Sequence, residues 1–168
     1  GAFNKQIADE LQTRVSDARV QAKTLHALGM GYIRAQVEDV RVDANNRAWD
    51  LVKDVAGDAP QAIKVALKNL HTKVRELNPW AETTSDIERI AIAYDLVPDE
   101  SEWRGKWTEG HYYETVLTIL EHAADDVEVI DFADMIFLPL RRGWAWPVAD
   151  LVVVDEAQDM TGPQLEIA

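Results

Sequence analysis

The run Leu151-Val152-Val153-Val154, leading directly into Asp155-Glu156, is the feature that most restricts what this chain can fold into. Four consecutive apolar residues, three of them β-branched, suit a strand buried on both faces, as at the centre of a parallel sheet. Such sheets place ligands beyond the carboxyl ends of their strands. Asp155 is therefore expected to hold Mg²⁺, directly or through water, and Glu156 to orient and deprotonate a water attacking a γ-phosphate. An Asp-Glu pair alone reads equally as a polar turn after a strand. The full string Asp155-Glu156-Ala157-Gln158-Asp159 favours the nucleotide site.

That string resembles motif II, the Walker B element, of superfamily I DNA helicases of the UvrD/Rep/PcrA type. Three further segments are similar to that family and follow its order. Ala2-Phe3-Asn4-Lys5, ahead of a helix, looks like motif Ia, and Thr24-Leu25-His26-Ala27-Leu28-Gly29 looks like motif Ib. Asp131-Phe132-Ala133-Asp134-Met135 is similar to the helix start that precedes motif II. The middle of the chain is similar by position and helical character only.

The resemblance implies an α/β fold: a partial RecA-like P-loop NTPase domain with a parallel sheet and an inserted all-helical subdomain. Residues 1–40 would carry motifs Ia and Ib, 41–128 the inserted helices, and 129–168 motif II. It implies part of an ATP-dependent DNA helicase or translocase that couples hydrolysis to movement on single-stranded DNA. Glu156 and Gln158 would be catalytic. Asp155, Glu156 and Gln158 would contact ATP, with Asp155 on Mg²⁺ and Gln158 linking the γ-phosphate to DNA binding. Phe3, Asn4, Lys5, Thr24 and His26 would grip the strand. Phe3 would stack on a base, since aromatic faces bind bases without sequence preference, with core packing as the alternative.

The phosphate-cradling string Gly-x-x-x-x-Gly-Lys-Ser/Thr does not occur. Gly105-Lys106 is followed by Trp107 and has Glu100 where the first glycine belongs. Family order places that loop upstream of motif Ia, so the expectation is a piece of a larger helicase, partnered by its remaining domains and nearly inactive alone. A non-enzymatic helicase-like remnant and a piece of a helicase-nuclease subunit are the alternatives. Thr161-Gly162-Pro163-Gln164 reads as a helix start, with Thr161 as cap and Gln164 at the reciprocal position.

Composition narrows the classes. With 47% apolar and 28% charged residues over 168 positions, the chain can bury a core. Having no cysteine, it forms neither disulfides nor cysteine-based zinc sites, and its four histidines show no ligand spacing. No apolar run approaches the ~18 residues that span a bilayer. A cytoplasmic protein of bacterial or phage origin is expected, with no membrane partner. The net charge of −13 excludes a surface that is basic throughout, so any strand contact must be local.

The periodicity predicts a helix capped by Asn4 with Ile7, Leu11 and Val15 on one face, a short strand over Val20 to Leu25, and a helix over 27–37. Further helices should bury Ile63, Leu67, Leu70, Val74 and Leu77, start at a Ser85/Glu88 capping box, and run from about Tyr112 to Ala124. The six tryptophans form no stacking ladder and are read as packing residues, Trp103 and Trp107 sharing a helical face.

Overall fold

The computed structural model describes residues 5–15, 17, 20–144, 150–154 and 157–167, the side chains of Lys5 and Ile7 excepted. In chain order the elements are α1 (Lys5–Arg14), α2 (Leu25–Gln36), β1 (Arg41–Val42), α3 (Arg47–Ala56), α4 (Gln61–Leu77) and α5 (Thr84–Ala93). They continue with α6 (Glu109–Asp125), β2 (Val129–Ile130), α7 (Asp134–Arg141) and α8 (Gly162–Ile167). Short 3₁₀ turns occupy Glu100–Glu102 and Ala157–Asp159.

This architecture overturns the expected α/β, RecA-like fold. The described residues are mostly helical, and their one sheet has two strands, β1 and β2, paired in parallel with Arg41 opposite Val129 and Val42 opposite Ile130. Leu151, Val152 and Val153 form no ladder and are 78%, 51% and 75% exposed. A β-branched run prefers a strand only where cross-strand and facing neighbours cover it. No described strand pairs with this run, so its apolar pattern does not become a sheet.

The expected strand over Val20 to Leu25 is reduced to a single bridge residue, Thr24, because the local cap wins. Thr24 sits in extended backbone (φ −74°, ψ 157°) and its hydroxyl oxygen accepts the Ala27 N–H at 3.1 Å, which starts α2. The same competition moves the start of α5. Thr83, extended at φ −123° and ψ 154°, exchanges hydrogen bonds with Asp86, so the capping box lies two residues before Ser85/Glu88. Likewise, Thr108 caps α6 ahead of Tyr112. Trp103 and Trp107 do not share a helix: they flank a tight turn with Gly105 at φ +61°, a left-handed position that suits glycine.

The core follows the predicted α4 face. Ile63, Leu67, Leu70 and Val74 are fully buried, with Leu77 half-buried at the edge. They meet Leu51 and Val52 of α3, Ile87 and Ala91 of α5, and Val116, Ile119 and Leu120 of α6. The same cluster continues into Met30 and Ile33 of α2 and Phe137 and Leu138 of α7, so one core joins these helices.

A close crossing of α2 and α7 fixes the end of the molecule where the strand contacts were predicted. Pro139 lies inside α7 and has no N–H for the carbonyl four residues earlier, that of Met135. That carbonyl faces α2 at Gly29, where an ideal Cβ would fall 1.8 Å from its oxygen. Glycine is therefore required by contact rather than by backbone conformation, and a weak Cα–H···O approach suits the geometry.

Candidate nucleic-acid interface

Between β2 and α7 the chain makes a turn built on two aspartates. The Asp134 N–H donates to Asp131 Oδ1 at 3.0 Å and the Asp131 N–H donates to Asp134 Oδ2 at 3.1 Å, a reciprocal pair that closes the turn. Arg75, fully buried on α4, donates through Nη2 to Asp131 Oδ2 at 2.8 Å and through Nη1 to Asp131 Oδ1 at 3.1 Å and Asp134 Oδ1 at 2.5 Å. Arg47 of α3 adds a longer contact to Asp134 Oδ2 at 3.4 Å and binds Asp126 at the end of α6. Two guanidiniums thus pair with the buried carboxyls of Asp131 and Asp134, and the half-exposed Asp126 completes the cluster at its edge.

The carboxyls respond differently. Burial is the largest influence on Asp131 and works against its charge, but the Arg75 guanidinium and the Asp134 N–H together hold the group below the usual carboxylate range. At Asp134, which is fully buried, desolvation prevails and the carboxyl is raised despite Arg75. His71, one turn before Arg75, donates from Nε2 to the Ala48 carbonyl at 3.1 Å and is pushed down to about 3, chiefly by burial and then by the positive Arg75. Its Nδ1 and the Nε of Arg75 have no hydrogen-bond partner among the described residues.

The turn leaves Phe132, between the two aspartates, 58% exposed. Its ring meets the His26 ring edge to face, centroids 6.1 Å apart at 85°. His26 lies in the first turn of α2, half-buried, its pKa lowered by burial against the pull of Glu76. It is therefore mostly neutral at pH 7 and offers a ring and a hydrogen-bonding nitrogen rather than a cation. Thr24 stands at the start of the same helix. Its oxygen is used in the cap, while the hydroxyl proton is still a donor, and the helix start favours a nearby anion.

The predicted residues thus separate. His26 meets Phe132, which the sequence placed in a motif but gave no role, and Thr24 stands two residues before His26 at the α2 start. Lys5 begins α1. Gln158 is exposed in the 3₁₀ turn at Ala157–Asp159. Phe3, Asn4, Asp155 and Glu156 lie outside the described residues. Among the described residues no group of three or more His, Asp or Glu is arranged to hold a metal ion. Nor is any described helix long and apolar enough to cross a membrane.

The α8 start behaves as predicted: Gln164 Oε1 accepts the Thr161 N–H at 2.9 Å and the Thr161 hydroxyl accepts the Gln164 N–H at 3.4 Å. Ile167 then packs with Ile136 and Leu140 of α7 and Leu25 and Leu28 of α2. Compared with known proteins, the chain matches no family model, no curated protein and no solved structure.

Proposed function

We propose that this chain is a part, running from motif Ia to motif II, of an ATP-dependent DNA helicase or translocase, and that it touches single-stranded DNA at the corner formed by Thr24, His26 and Phe132. The observation that supports the reading is convergence. Two segments similar to the family, at 24–29 and 131–135, are far apart in sequence, yet they meet where α2 crosses α7, with Ile167 of α8 packed against both helices. A solvent-facing phenylalanine beside a neutral histidine provides a stacking platform for bases, and the α2 start provides donors for a phosphate.

Asp155, Glu156 and Gln158 would hold ATP and Mg²⁺, which when bound supply the hydrolysis that drives movement. Because the chain carries −13, stacking must contribute more to strand affinity than counterion release. The test is fluorescence anisotropy of a fluorescein-labelled oligo-dT with the wild type and Phe132→Ala. Base stacking is worth roughly 1–3 kcal/mol, so the variant should bind about tenfold more weakly at an unchanged melting temperature. Equal affinity of the two proteins, or no binding by either, would sink the reading.

A further inference from the structure

The Arg75 cluster is more than a stabilising device. A buried ionic group is often no more stable than a well-packed apolar one, so stability alone does not account for its presence. What the ions add is direction. The guanidinium fork is planar and reaches Asp131 through both terminal nitrogens and Asp134 through one, and each aspartate is tied to the other's backbone. Phe132 stands between two pinned residues and keeps an outward path, 58% exposed, although the fully buried Phe137 lies five residues further along. From the other side, Arg47 ties Asp134 to the end of α6 through Asp126. The turn is thereby referenced to α3, α4 and α6, none of which carries a strand-contact residue predicted from the sequence.

We propose that Arg75 is a positioning residue for the strand-binding corner: its buried fork on Asp131 and Asp134 fixes the turn that holds Phe132 out beside His26. This rests on the strand-binding reading given above, but one of its readouts needs no nucleic acid. Arg75→Lys keeps the charge and loses the planar fork. With 4-fluorophenylalanine incorporated throughout, the fluorine NMR signal of Phe132, assigned by its loss in Phe132→Leu, reports the turn, and that of Phe137 reports the core. In Arg75→Lys the Phe132 signal should shift and broaden while Phe137 stays in place. Oligo-dT affinity should fall roughly tenfold, as in Phe132→Ala, and the double variant should bind no more weakly than Phe132→Ala alone.

An unmoved Phe132 signal in Arg75→Lys overturns the proposal, as do losses that multiply in the double variant. Should Arg75→Lys collapse both signals, Asp131→Asn provides the second test. It keeps the side-chain shape and leaves Asp134 on Arg75, and it must move Phe132 selectively for the proposal to stand. Unchanged oligo-dT affinity in Phe132→Ala refutes strand binding at this corner, a failure separate from that of the fluorine result.

Discussion

Replacing Gly29 by alanine should destabilise the protein, although the same change at Gly31, in the same helix, should stabilise it. In a helix interior, Gly→Ala is ordinarily worth about 0.5–1 kcal/mol in favour of the variant. A Cβ at Gly31 meets nothing within 4 Å, so only that gain applies. At Gly29 the Cβ would stand 1.8 Å from the Met135 carbonyl oxygen. The closest ordinary carbon–oxygen approach is ~3.3 Å, so the two helices would have to separate by roughly 1.5 Å. A gap of ~0.5–1 Å already loses a quarter to a half of each van der Waals contact, and Met30, Ile33, Met135 and Leu138 are all buried near the crossing.

Overpacking of this kind costs about 1–3 kcal/mol and sometimes more; with a backbone carbonyl as the obstacle, a net loss of ~2–4 kcal/mol is expected. For a chain of this size that corresponds to a melting temperature lower by roughly 5–15 °C, against a rise of a few degrees for Gly31→Ala. Thermal unfolding followed by circular dichroism reads both. Equal stability of the two variants would refute the crossing geometry.

Two further predictions concern charge and capping. His71 has a folded-state pKa depressed to about 3 from 6.5, mainly by burial. The unfolded chain therefore takes up its proton first, and the stability that the neutral imidazole contributes is complete above pH 6.5 and lost as pH falls toward 3. Between pH 6.5 and about pH 5, urea unfolding should show roughly 2 kcal/mol more loss for the wild type than for His71→Leu. Parallel pH curves would refute the assignment. Thr83→Ala should cost about 1 kcal/mol by removing the α5 capping box, whereas Ser85→Ala should change stability by no more than about 0.5 kcal/mol.

Helix positions were legible where an apolar stripe had enough length, as in α4, whose Ile63, Leu67, Leu70 and Val74 face the core as their spacing requires. Starts were less so, because Thr83 and Ser85 carry the same hydroxyl and only the backbone angle decides between them. The sheet was misread for a different reason. Leu151–Val154 has the composition of a buried strand, but pairing is a property of neighbours, and the one sheet among the described residues, β1 with β2, does not include this run. At the site, Thr24 and His26 were found through their motif. Phe132 was passed over because an exposed aromatic and a core aromatic look alike in sequence. Arg75 left one usable signal: a cation on the edge of an otherwise apolar helical face, which requires a buried partner. The Asp131/Asp134 spacing is where that partner was to be sought.

The most direct measurement of the central claim is photocross-linking of an oligo-dT carrying 5-iododeoxyuridine, followed by peptide mapping of the adducts. The account predicts adducts concentrated on Phe132 and His26, with those on the 132 peptide lost in Phe132→Ala. Adducts concentrated instead on Trp80 and Tyr94, which are also exposed aromatics, would contradict it.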